Sequence, residues 1–272
     1  MRPVQRGKSP QQTDYSDYAD AKHHLVSRLG GYCSYCERRV ATNLAVEHIQ
    51  PKGLAAYKAL EGRWENFLLA CVNCNSTKKD KDFALLDVFL PDRDNTFAAF
   101  DYFDDGRIEA SANISAANQA LAKRLLSLVG LDKPILQYLD ENGEQVALDR
   151  VAQRTQAWGV AVATKGEVEA NPGNDALRRV AVNLAKSTGF FSIWMTVFSH
   201  DSDMRNRLID AFPGTRGSGC FDSVTAQPIC PAPNPDNLAA GAKLQSPKAT
   251  NTHIGRRTGR KVSTKREQRR RL

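Results

Sequence analysis

The stretch that decides the fold runs from Cys33 to Lys79 and reads CSYCERRVATNLAVEHIQPKGLAAYKALEGRWENFLLACVNCNSTKK. It opens on one C-x-x-C pair, Cys33 and Cys36, and closes on another, Cys71 and Cys74. Two such pairs supply the four thiolates of a tetrahedral structural zinc site. The 34 residues between them, Glu37 to Ala70, exceed the spacing of an ordinary small zinc module. The metal is therefore expected to close a loop inside which further structure is built. Glu47 and His48 stand in that loop, followed by Trp64, Glu65 and Asn66, and Asn75 comes directly after the last cysteine.

The order His48, Asn66, Asn75, framed by paired cysteines, resembles the HNH nucleases in their HNN variant. The resemblance implies a ββα-metal finger pinned at both ends by the cysteine knuckles. In it the histidine ends the first strand, one asparagine lies in the connection and the other stands on the helix. Phosphodiester hydrolysis needs a base for the attacking water, a Lewis acid on the phosphate and stabilisation of the leaving oxygen. His48, which titrates near neutrality, is the candidate base. The resemblance makes Glu47 and Asn75 the ligands of one catalytic divalent metal and leaves Asn66 to hydrogen-bond across the loop and hold the histidine strand. An amide oxygen beside a carboxylate, with no second histidine, points to Mg²⁺ or Mn²⁺. Lys78 and Lys79 on the expected helix, with Arg38 and Arg39 from the hairpin side, are candidate phosphate contacts, a solvated basic face being the alternative. Glu65 is a competing metal ligand or a surface carboxylate.

The formal net charge of +8 over 272 residues comes from the end of the chain. Residues 248–272 hold ten Lys and Arg and one Glu, so residues 1–247 carry 28 basic and 29 acidic side chains. The body is thus not a broad basic platform, and phosphate binding must be local to the finger, or come from a partner or the tail. The 41% of apolar residues is enough for a core. The opening residues show no apolar segment of a secretory signal, and the run from Gly189 to Phe198 is about half a membrane span. A cytoplasmic protein with no membrane association is expected, and four cysteines in metal spacing fit a reducing compartment. Cys220 and Cys230, ten residues apart without a nearby histidine, make a weak second metal pair and read rather as two free thiols.

Read in order, residues 1–30 are an extended polar arm and a helix from Asp14 to Leu29, stopped by Gly30 and Gly31. The finger takes residues 31–90, with a hairpin over Val40 to Ile49 and a short helix from about Asn73–Asn75 to Asp82. Residues 91–224 form a mainly helical body and partner-docking region. In it, Asp105-Gly106 turns a hairpin within Phe97 to Ala110. Ser115 caps a helix closed by Gly130, and Pro134 opens another. Further helices cover Gln145–Glu169, Asp175–Lys186, Phe190–Phe198 and Asp203–Phe212. Residues 225–272 are expected to be a disordered, Pro-rich and then basic tail.

The opening residues, the finger and the segment from Thr188 to Phe221 together resemble the PtuB-like HNH nucleases of Septu and retron-linked anti-phage systems. That resemblance implies an ABC-type ATPase partner, a retron reverse transcriptase with its RNA and DNA as a further associate, and docking through the helical portion. The apolar stripe around Trp194 and Met195 fits a docking surface or ordinary core. The expected fold is α+β: a ββα-metal finger with a four-cysteine zinc site, embedded in a mainly helical body with a disordered basic tail. The expected function is metal-dependent cleavage of invading DNA. A nuclease directed at host RNA such as tRNA, and a zinc-finger binding module without catalysis, are the alternatives.

Overall fold

Phe67-Leu68-Leu69-Ala70 is a four-residue apolar run between Asn66 and Cys71, and all four residues are buried. A strand this short and apolar is stable only when covered on both faces and paired along an edge. Its partner is Ala45–His48. These two strands, β1 (Ala45–His48) and β2 (Phe67–Ala70), are antiparallel, with Glu47 opposite Leu68 and His48 opposite Phe67. The computed structural model describes residues 1–133 and 150–244. The hairpin expected over Val40 to Ile49 is therefore replaced by a pairing across the long loop. Before β1 the described residues form isolated bridges alone, Tyr32 with Arg39 and Arg38 with Gly189.

The helix after the second knuckle, α2 (Val72–Lys78), begins directly at Cys71 and ends earlier than expected, at a Lys79 in positive φ. Upstream, the expected helix from Asp14 is shorter. Asp17 caps a 3-10 turn over Tyr18–Ala21, which leads into α1 (Lys22–Leu29). Beyond the finger, β3 (Phe100–Tyr102) and β4 (Ile108–Ala110) form the hairpin around Gly106. Ser115 caps α3 (Ala116–Val129), which ends at a left-handed Gly130. The remaining helices are α4 (Arg150–Ala170), α5 (Asp175–Thr188), α6 (Phe191–Val197) and α7 (Ser202–Ala211). The helix start read at Pro134 and the first residues of the one read from Gln145 lie outside the described residues.

Two of these readings are refined and one is corrected. First, the polar arm is buried over most of residues 1–6, where its arginines are absorbed by backbone carbonyls and one carboxylate, and exposed over residues 10–13. Arg6 pairs with Asp92 at 3.2 Å and donates to the carbonyls of Phe67 and Glu65, while Trp64 Nε1 donates to the Gly7 carbonyl at 2.7 Å. Arg2 likewise donates to the Leu29 carbonyl at 2.6 Å. Second, the Trp194–Met195 stripe is core: Phe191, Trp194 and Met195 are fully buried and Trp194 stacks on Phe198, so it offers no docking face. Third, order extends past 225. Ala226, Ala232 and Leu244 are buried and Lys243 reaches the buried carboxylate of Asp94 at 2.7 Å, so residues 225–244 pack on the body. The basic run from 248 lies outside the described residues.

The finger is fastened to the body at its first knuckle. Glu37, buried and in positive φ, accepts from the Ser192 backbone at 2.9 Å and from its hydroxyl, and the Phe190 amide donates to the Glu37 carbonyl. Gly189 makes this approach possible. It has φ +77°, and a Cβ there would lie 2.7 Å from the Arg39 amide nitrogen and 2.8 Å from the Glu37 carbonyl oxygen. Gly189→Ala is therefore expected to destabilise the fold by about 2 kcal/mol or more, through clash and backbone strain together. Denaturant titration checks it, and an unchanged midpoint contradicts it.

Candidate active site and zinc centre

Cys33 and Cys36 lie on the turn that Glu37 anchors, and Cys71 and Cys74 lie at the junction of β2 and α2. The pairing of β1 with β2 carries the second pair back to the first. The four sulfurs lie within 4.8 Å of one another and all four residues are buried. A thiol set so close, with Cys36 and Cys71 sulfurs 3.7 Å apart, is the donor set of a tetrahedral zinc. Burial pushes the Cys33 thiol up, while hydrogen bonds from neighbouring thiols hold Cys71 down. Arg150, at the start of α4, donates to the Cys74 sulfur at 3.2 Å and to the Val129 carbonyl at 3.0 Å. Its guanidinium would offset part of the negative charge of four thiolates holding a zinc. Nothing in the cysteine spacing announces Arg150, which is 76 residues from Cys74.

On the other side of β1 a cleft of about 780 Å³ is lined by Glu47, His48 and Asn75, with Tyr18, Lys22, Lys52, Lys78, Lys79 and Asp80 among its walls. His48 is at the end of its strand, where Nε2 lies 2.9 Å from the Glu61 carbonyl. A carbonyl only accepts, so Nε2 carries the proton of the neutral ring and Nδ1 carries the lone pair. Two aromatic rings fix the imidazole edge to face: Tyr18 at 4.8 Å and Phe67 at 5.2 Å between centroids. Burial pushes the His48 pKa below its ordinary value, against the Glu61 carbonyl, which raises it.

Asn66 is buried in the connection. Its oxygen accepts from the Gln50 amide at 2.8 Å and its amide donates to the carbonyls of Gln50 at 2.9 Å and Leu60 at 3.3 Å. Both ends of the 49–66 loop are thereby tied immediately beyond His48. Asn66→Ala removes the partners of half-buried backbone groups of Gln50 and Leu60, so a loss of about 1–3 kcal/mol in stability is expected. The same variant should cleave more slowly even where it remains folded; a melting curve and a rate at low temperature check the two effects separately.

The predicted basic contacts divide. Lys79 is exposed on the cleft wall. Lys78 is not a solvated contact: its side chain is 2% exposed and its ammonium lies 2.9 Å from Glu47 Oε1. Helical spacing held the signal, since Lys78 stands four residues after Cys74 and so on the buried face. Arg38 and Arg39 do not line this cleft. Arg38 donates to Asn73 Oδ1 at 3.2 Å and reaches Gln153 at 3.4 Å, and Arg39 is exposed beside Val40 and Lys186. Glu65 is exposed away from the cleft walls. Sequence reasoning missed Tyr18, Lys22 and Lys52. Lys52 sits over the Tyr18 ring at 3.9 Å and pairs with Glu61 at 3.1 Å. Tyr18 and Lys22 come from a turn and helix upstream of the finger, so no local pattern points to them.

A ββα arrangement with a four-cysteine centre and a histidine, carboxylate and amide on one cleft agrees with the comparison to known families. Residues 33–81 match the HNH endonuclease family. No curated protein matches the chain. The matched HNH segment begins at the first zinc ligand and ends just beyond α2, and it contains Glu47, His48, Asn66 and Asn75. It supports nuclease chemistry in general and the use of divalent metals. Tyr18 and Lys22, and the Arg150 that braces Cys74, lie outside it. Among the described residues, no helix is long and apolar enough to cross a membrane.

Proposed function

We propose that the chain is a metal-dependent endonuclease that hydrolyses phosphodiester bonds of invading DNA in an anti-phage complex with an ABC-type ATPase. The observation that carries the nuclease reading is the convergence of Glu47, His48 and Asn75 on one cleft, with the His48 ring fixed and neutral. Glu47 and Asn75 are oxygen donors suited to Mg²⁺ or Mn²⁺, which when bound polarises the scissile phosphate and stabilises the departing oxygen. His48 Nδ1 takes the proton of the attacking water, and the Glu61 carbonyl stabilises the imidazolium that results. Asn66 keeps the strand end in place, and Lys22, Lys52 and Lys79 supply positive charge to flanking phosphates.

The DNA target and the ATPase rest on the wider resemblance and on charge. With residues 1–247 near neutral, the body has little long-range attraction for a polyanion, which favours delivery by a partner or by the basic end of the chain. The test is a substrate panel: plasmid DNA and total tRNA, each with the chain alone and with the ATPase encoded beside it, in Mg²⁺ and in Mn²⁺. Cleavage of DNA enhanced by the ATPase is the expected result. Cleavage confined to tRNA would replace the DNA reading with one of host RNA, and an ATPase without effect would remove the partner.

A further inference from the structure

Lys78 is buried as deeply as the carboxylate it meets. Both side chains are 2% exposed, with Nζ 2.9 Å from Glu47 Oε1. The same ammonium donates to the His48 carbonyl at 2.7 Å, and the Tyr35 hydroxyl donates to the same Glu47 oxygen at 3.4 Å. Lys78 is thus tied to both neighbouring residues of β1 and cannot swing to solvent without losing two contacts. The buried carboxylate of the cleft already has a full counter-charge beside it. The other donors at its side, His48 and Asn75, are neutral. The cleft's other carboxylate, Asp80, is exposed, so a divalent ion entering beside Glu47 would meet a buried ligand set whose one negative charge is already balanced by a fixed ammonium. Ligand charge is a main determinant of affinity for hard cations, and a like charge at short range in a buried site opposes them strongly.

We propose that Lys78 is an internal counter-ion of the candidate metal centre, holding divalent-metal affinity low until a nucleic-acid phosphate adds negative charge. This rests on the reading of Glu47 as a metal ligand. Metal and substrate then bind as a pair, and the free protein stays unloaded. Lys78 acts on the centre through Glu47 and is a positioning and charge-setting residue, not a catalytic one. If Glu47 takes no metal, replacing Lys78 by a neutral side chain leaves metal affinity unmoved.

The test is calorimetric titration of Mn²⁺, without nucleic acid and at mildly alkaline pH, into zinc-loaded wild type, Lys78→Met, Lys78→Gln, Glu47→Gln and the double variant Lys78→Met with Glu47→Gln. Lys78→Gln keeps hydrogen-bonding capacity toward Glu47 and the His48 carbonyl, so it reports even if Lys78→Met fails to fold. Both Lys78 variants are expected to bind Mn²⁺ about tenfold more tightly or better, and the gain should vanish in the Glu47→Gln background. Unchanged or weaker binding by folded Lys78→Gln overturns the proposal, as does an equal gain without Glu47. If His48→Ala abolishes cleavage while Lys78 leaves Mn²⁺ affinity unmoved, the counter-ion falls and the nuclease stands. If His48→Ala cleaves as wild type does, the nuclease reading falls and takes the counter-ion with it.

Discussion

Cys71→Ser is expected to unfold the finger between the two knuckles and to abolish every activity that depends on it. Cys71 directly follows β2 and caps α2, so its sulfur joins both elements to the Cys33–Cys36 turn. The β1–β2 pair is only four residues long and α2 only seven, too short to persist unaided. Structural zinc in small modules contributes an apparent binding free energy of about 10–16 kcal/mol, which is also folding free energy. Loss of one thiolate should forfeit much of it, and strong chelation of the wild type should have the same outcome. Because the ligands bind zinc as thiolates, affinity must fall as pH drops and the sulfurs take up protons. Metal analysis with circular dichroism checks this. A chelated protein that melts at the wild-type temperature would contradict it.

His48→Ala is expected to lower cleavage by about two to four orders of magnitude, the range a positioned general base supplies. Its burial-lowered pKa also predicts the pH dependence. The neutral, base-competent ring persists below the ordinary histidine value, so the acid limb of kcat/KM should lie under about pH 6.5, with a plateau above it. The sign for stability follows from the same shift. Below the unfolded value the unfolded chain binds the proton more readily, so His48 favours unfolding as pH falls from about 6.5 toward its folded value. His48→Ala should flatten both dependences. A limb that stays in place in the variant would mean that another group governs it.

The sequence carried the centre of the fold and less of its surroundings. Cysteine spacing and the order of His48, Asn66 and Asn75 are local features, and so are the turn at Gly106 and the caps at Ser115 and Gly130. Each is legible because one residue type at one offset does the work. The partner of β1 was not legible, since Phe67–Ala70 is too short for alternation to show and its pairing depends on closing the metal loop. Buried charge was the other blind spot. Arg2 and Arg6 read as a polar arm, yet each finds carbonyls at a distance in sequence. Lys78 read as a surface cation because its neighbour Lys79 is one, while Glu47 pairs with it from 31 residues away. The packing of residues 225–244 has the same origin: Lys243 and its proline-rich approach are ordered by Asp94, a contact no composition window contains.

The role proposed for His48 is that of the base in a metal-dependent nuclease centre. The measurement that decides this role is incubation of supercoiled plasmid and total tRNA, in Mg²⁺ and with or without the proposed ATPase partner, with wild type and His48→Ala that match in zinc content and melting temperature. Cleavage of at least one substrate by wild type, absent when Mg²⁺ is omitted and lost in His48→Ala, is the predicted result. Equal cleavage by both proteins, or none of either substrate by the folded wild type, would contradict it.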